Sequence, residues 1–314
     1  MPAFIFFVTL FMLMTSTPRA DVTQISAATL LLRVDQSGKG DYEKIQDAID
    51  AAPSDNEEVV FILVEPGIYN EKIVVPADKP FITLSGLKPN GTIITGSDSG
   101  NIFESATFTV LASDFVGQYL TIQNTYGLGA KAVTLRVSGN RATFFGCRIL
   151  SYQDTLLDDT GRHYYSNCYI EGAMDFIFEN AASLFERCHL HTLSKGDTSI
   201  TAQRRESPLK ETGFTFLGCK ITQVRTAMSN VILPQGWDDW GDSSKQSTVF
   251  YREYKCYGPG ANNRKMVEWS KQLTAKEADI FLTKNMIGGK SWVRSTPKHF
   301  KKASSTISNN FTTH

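Results

Sequence analysis

Two aspartates, Asp154 and Asp175, stand at the same offset within neighbouring copies of one short pattern. Asp154 follows Cys147 by seven residues, and Asp175 follows Cys168 by seven. If the copies stack in register, the two carboxylates take equivalent places on adjacent strands, with backbones about 4.8 Å apart. Carboxylates that close repel when both are ionised, so one keeps a proton while the other stays charged. Such a pair offers a nucleophile beside a general acid/base, which is what acyl transfer needs. Stacked aspartates also suit exposed turns, where Asp is common. The neighbours favour chemistry: Gln153 puts an amide donor beside Asp154, and Phe176-Ile177-Phe178 surrounds Asp175 with a semi-dry, apolar setting.

Other chemistries find little support. Gly96-Ser97-Asp98-Ser99-Gly100 has Asp at its centre, so it is not the serine elbow of a hydrolase. His189 and His191 share one face of a strand without a third ligand, which reads as a surface pair. Neither a phosphate loop nor a dinucleotide fingerprint is present.

A repeat must position the aspartates. Phe144/Cys147/Ile149, Tyr165/Cys168/Ile170, Phe185/Cys188/Leu190 and Phe216/Cys219/Ile221 share the pattern aromatic-x-x-Cys-x-aliphatic. A weaker copy reads Phe115/Gln118/Leu120. A unit of about 20 residues cannot bury its own core, so copies stack. Its β-branched and aromatic alternation, without an amphipathic helix, predicts an all-β parallel β-helix in which each coil adds a rung. The step from Cys188 to Cys219 is longer and predicts an inserted loop. The cysteines then form an interior ladder, either as free thiols or with disulfides between neighbouring coils.

A solenoid needs covers for its open ends. Asp41 to Ala52 places Ile45, Ala48, Ile49 and Ala52 on one helical face, stopped by Pro53. Thr274-x-x-Glu277 predicts a capping box opening a short helix through Phe281. Residues 1–20, with their apolar run from Phe4 to Met14, read as a signal peptide rather than a buried strand, and so predict secretion. The sequons Asn90-Gly91-Thr92 and Asn310-Phe311-Thr312 agree with export. One domain is expected over 34–300, followed by a disordered tail over 301–314. Lys plus Arg equal Asp plus Glu at 32 each, which argues against a nucleic-acid partner, and no stretch is long enough for a membrane span.

These motifs resemble the plant pectin methylesterases, in a short form without an inhibitor-like pro-region. Gly67-Ile68-Tyr69-Asn70-Glu71, Tyr152-Gln153-Asp154-Thr155-Leu156 and Gly172-Ala173-Met174-Asp175-Phe176-Ile177-Phe178 carry the likeness, which runs from Val34 to Phe300. The resemblance implies a right-handed parallel β-helix and hydrolysis of methyl esters of homogalacturonan in the cell wall, by a monomer, without a metal or cofactor. It implies Asp175 as nucleophile, Asp154 as acid and then base, and Gln153 as oxyanion donor. Lys131, Tyr152 and Phe178 are the implied substrate-binding residues, and a proteinaceous inhibitor is an implied partner.

Three positions depart from the family pattern. Lys131 replaces a Gln, Glu179 replaces a Gly, and the Leu-Gly-Arg-Pro-Trp motif is missing. Between Cys219 and Val231-Ile232-Leu233-Pro234-Gln235-Gly236-Trp237 the chain is short by about one coil of a solenoid. The lost motif implies the loss of an arginine partner for Asp175, for which Arg225 is the nearest substitute. A catalytically impaired binder of pectin or of an inhibitor is therefore the alternative reading. A β-helix lyase or glycosidase is a third, and needs a calcium cluster or another carboxylate spacing.

Overall fold

Short runs of β-branched and aromatic residues, each ended by a tight corner, wind this chain into coils. The computed structural model describes residues 29–194, 199–205, 207, 209–223, 236–239, 241–247, 251–255, 266–294 and 300–302. Residues 1–20, where a signal peptide is expected, the tail from Ala303, Arg225 and the stretch Val231–Gln235 lie outside the described residues.

Each coil contributes one strand to each of three parallel sheets, forming a right-handed parallel β-helix. One coil runs Ala142–Phe145 in the first sheet, Arg148–Leu150 in the second and Leu156–Asp158 in the third, and Arg162–Ser166 begins the next coil. Pairing extends the folded region beyond 34–300 at both ends, because Thr29–Leu31 pairs with Phe300–Lys302.

The repeat read from the sequence is the rung of this ladder. Phe144, Tyr165, Phe185 and Phe216 are in register on consecutive strands. Their rings stack at 5.3, 4.6 and 4.9 Å between centroids. Two residues on, Gly146, Asn167, Arg187 and Gly218 all take left-handed φ and turn the chain into the second sheet. The cysteines follow as free thiols, three fully buried and Cys219 half-buried. The thiols of Cys168, Cys188 and Cys219 donate to Phe144, Tyr165 and Phe185 carbonyls one coil back, at 3.4, 3.5 and 3.3 Å.

The weak early copy is corrected by two residues. Gly117 pairs with Phe144 and Ile122 with Ile149, so the copy reads Gly117/Leu120/Ile122. Phe115 misleads because its ring fills the space that Gly117 leaves. It lies 5.7 Å from the Phe144 ring, and a Cβ on Gly117 would meet both rings.

The first coil is covered by helix α1, Ile45–Ala51, with Ile45, Ala48 and Ile49 buried. It begins at Ile45 rather than Asp41, because Asp41 and Tyr42 instead donate to the Arg33 carbonyl. Its N-cap, Lys44, gives no side-chain cap. Glu71 supplies one from the next turn of the chain, accepting from Ile45 and Gln46 N–H, each at 3.1 Å. At the other end, buried Lys79 donates to the Asp50 and Ala52 carbonyls at 2.7 and 2.6 Å. The Gly67–Glu71 motif is thus a folding device, with Tyr69 in the core and Glu71 on the covering helix. At the far end, Thr274 and Glu277 form the expected capping box on helix α2, Ala275–Ala278, continued by a 3₁₀ turn through Phe281.

A buried polar cluster joins three coils at the corner opposite the aspartates. Asp158 accepts from His163 Nδ1 at 2.7 Å, Tyr165 Oη at 2.6 Å and the Ser183 hydroxyl. His163 Nε2 faces the Gly139 carbonyl at 3.0 Å. Both ring nitrogens of the fully buried imidazole thus face oxygen atoms of neighbouring coils.

Candidate active site

The corner between the second and third sheets carries the aspartates. Leu156 pairs with Ile177, so Asp154 and Asp175 are register equivalents on adjacent coils. Both have left-handed backbones, with φ of 61° and 47°, a conformation Asp tolerates better than most residues. Asp154 N–H donates to the Met174 carbonyl at 3.3 Å, and Asp175 N–H to the Ser199 carbonyl at 2.8 Å.

A column of threonines sets this corner. Thr107, Thr134 and Thr155 are equivalents immediately before the third-sheet strands, and each hydroxyl reaches up one coil. They donate to the Gln123, Leu150 and Glu171 carbonyls at 3.2, 2.7 and 2.9 Å. Gly172 is required beside Thr155, since a Cβ there would sit 2.7 Å from the Thr155 hydroxyl and 2.2 Å from Phe176 Cβ. Buried Asn124 fastens the preceding loops by donating to the carbonyls of Asp98, Ser105 and Val133 at 2.8, 3.3 and 3.0 Å.

The two carboxyls sit in unlike surroundings. Asp154 is 5% exposed, whereas Asp175 is half-buried. Burial pushes the Asp154 carboxyl up to about 6; Lys131 opposes that, the Asp175 charge adds to it, and a hydrogen bond from Gln153 opposes it. Asp154 therefore holds a proton in mildly acidic solution while lying within electrostatic reach of Asp175.

Gln153 is bridged to Met174 on the next coil, and its carbonyl accepts from Ala132 at 3.2 Å. Lys131 is exposed one coil before Asp154, and Tyr152 is half-buried on the Asp154 coil. Phe178 projects from the outer face of the third sheet but is only 7% exposed, packed with Ala106, Val133 and Leu157. It forms a dry wall rather than an open platform. Met174, 48% exposed beside Asp175, is an apolar neighbour that the sequence reading passed over.

Glu179 also has left-handed φ, 82°. It lies at the far end of its strand from Asp175, with Arg204 Nη1 at 3.6 Å and Asn180 Nδ2 at 3.3 Å from its carboxylate. His189 Nε2 and His191 Nδ1 both meet the Thr222 hydroxyl at 2.7 Å. Among the described residues, no three His, Cys, Asp or Glu side chains are grouped to hold a metal ion, and no helix is long and apolar enough to cross a membrane.

A parallel β-helix with two stacked carboxylates on one corner defines the class, and comparison gives the family. A model of the pectinesterase family matches residues 32–230 and 222–290, and the chain belongs to that family. A protein of Arabidopsis thaliana described as a pectinesterase, number 11, is 54% identical over 297 residues, covering 88% of this chain and 84% of its own length. The structure is similar to that of pectin methylesterase from carrot, with a TM-score of 0.79 and 31% identity over 86% of this chain and 96% of that one. The pectin methylesterase from Aspergillus niger gives 0.73 and 27% identity, over 85% and 95%.

The family match falls into two overlapping stretches. Residues 222–230 are claimed by both stretches of the family match. In the alignment with the Arabidopsis relative, 88% of 314 residues is about 276, against 297 aligned positions, leaving about 21 without a residue here.

Proposed function

We propose that this chain is a secreted esterase that hydrolyses methyl esters of homogalacturonan in the plant cell wall, with Asp175 as nucleophile. The observation that carries the reading is the register equivalence of two aspartates whose burial differs, with burial raising the Asp154 carboxyl. A carboxylate oxygen of Asp175 attacks the ester carbonyl carbon, and the carbonyl oxygen takes the negative charge beside the Gln153 amide. Collapse breaks the C–O bond to the methoxy group, and the Asp154 proton goes to that oxygen as methanol leaves. Asp154, now ionised, takes a proton from water, which attacks the acyl carbon of the Asp175 anhydride. Cleavage of that anhydride bond releases galacturonate and Asp175. Methanol release from pectin tests the reading, with Asp175→Asn expected to abolish it.

A second reading, a pectin binder with attenuated turnover, is favoured by the doubly matched residues 222–230 and by the size of the alignment deficit. A deficit of about 21 positions matches the length of one coil, the unit a solenoid loses with least disturbance because the neighbouring rungs re-stack. The resemblance assigns Asp175 an arginine from that coil. Its loss leaves the nucleophile less well oriented while the fold persists.

A further inference from the structure

The catalytic corner carries two lysines whose charges are in different states. Lys72 is paired, with its ammonium 2.7 Å from Asp98 and 2.5 Å from the Glu104 carbonyl. Lys131 is exposed, and among the described residues no carboxylate pairs with it. Its main chain is nevertheless fixed. The Lys131 carbonyl accepts from Gly100 at 2.8 Å, Ala132 N–H donates to Gln153 at 3.2 Å, and Asn124 holds the Val133 carbonyl at 3.0 Å. An exposed ammonium thus stands on a backbone held by hydrogen bonds, one coil before Asp154 along the solenoid axis.

We propose that Lys131 is a specificity-determining residue that binds an ionised carboxylate on the sugar next to the ester being cleaved. The proposal rests on the reading of this chain as a pectin methylesterase or pectin binder. A polyuronide lying along the axis crosses one corner after another at about 4.8 Å per coil. With its ester at Asp154 and Asp175, the neighbouring sugar falls to Lys131. A free carboxylate there gains an ion pair; a methyl ester does not. An ammonium on a flexible stem suits this charge reading better than the fixed geometry of an oxyanion hole, which the shorter, tethered Gln153 can provide.

The test is calorimetric titration of hexagalacturonate, whose six carboxylates are ionised at neutral pH, into the native chain, Lys131→Met and Lys131→Arg. An exposed ion pair contributes up to about 1 kcal/mol, so Lys131→Met should bind about two- to five-fold more weakly, and Lys131→Arg like the native chain. High salt should bring the native affinity down towards that of Lys131→Met. The fully methyl-esterified hexamer, titrated into Asp175→Asn chains with and without Lys131→Met, should bind equally to both. Equal weakening for the acid and the ester would overturn the proposal in favour of a role in shaping the groove, and no change with either would overturn it outright. A native chain that binds neither hexamer would overturn the pectin reading itself and the proposal with it.

Discussion

The Asp154 main chain donates to Met174, the residue before Asp175, and both aspartates bend the backbone left-handed at the same corner of consecutive coils. That link places one carboxyl in the dry interior of the corner and the other nearer water, from two residues of the same type. Burial raises Asp154 to about 6 in the folded chain, against an ordinary value of 3.8. The folded state is therefore most favoured, on account of this group, below pH 3.8, and that contribution is lost as pH rises through about 6. Asp154→Asn should raise stability at pH 7 by about 1–2 kcal/mol and leave it nearly unchanged at pH 4, as read from urea denaturation at the two pH values.

If Asp154 delivers the proton to methanol, kcat/KM should fall on the alkaline side with an apparent pKa near 6. Lys131 lowers the proton affinity of Asp154, so Lys131→Met should move that limb to higher pH. A limb that stays in place would detach Lys131 from Asp154.

Helix α1 is held by charge at both ends, with the Glu71 carboxylate on its N–H groups and the Lys79 ammonium on its last carbonyls. Lys79→Met leaves two carbonyls short of a donor and should cost about 1–3 kcal/mol. Glu71→Gln keeps an acceptor and loses the charge, and should cost about 1 kcal/mol or less. Hydrogen exchange in residues 45–51 should rise first in both variants.

Removal of His163 takes one of three hydrogen-bond donors from the buried Asp158 side chain. His163→Leu should destabilise the chain by about 1–3 kcal/mol in urea denaturation, the cost of leaving a buried acceptor short of a partner. A much smaller loss would show that Tyr165 and Ser183 satisfy Asp158 without the imidazole.

Much of the scaffold could be read from residue types alone. The aromatic and cysteine positions repeat because every coil meets the same core, and that is why the aspartate offset translates directly into register. The α2 capping box was equally plain, because its partners lie three residues apart. What stayed hidden depends on contacts between coils. Glu71 reaches a helix 25 residues back, Asn124 ties three loops, and Phe115 takes the place of a ring absent at Gly117. The recurring Thr-Leu of Thr134-Leu135 and Thr155-Leu156 is a readable signal of the threonine column. Met174 gave none, because a methionine before an aspartate does not state which way it faces.

The second reading, in which one coil is lost, gives a quantitative expectation. A nucleophile displaced by about 1 Å can lose on the order of 100-fold in rate. Insertion of the family's segment between Cys219 and Val231 should recover about that factor in kcat, with the fold unchanged by circular dichroism.

The most direct measurement is methanol released from methyl-esterified homogalacturonan by the native chain and by Asp175→Asn and Asp154→Asn, each first shown to be folded. The account predicts slow release by the native chain, none above background from Asp175→Asn, and a loss on the order of 100-fold or more in Asp154→Asn. Release by Asp175→Asn at the native rate, or none from the native chain with or without the inserted coil, would contradict it.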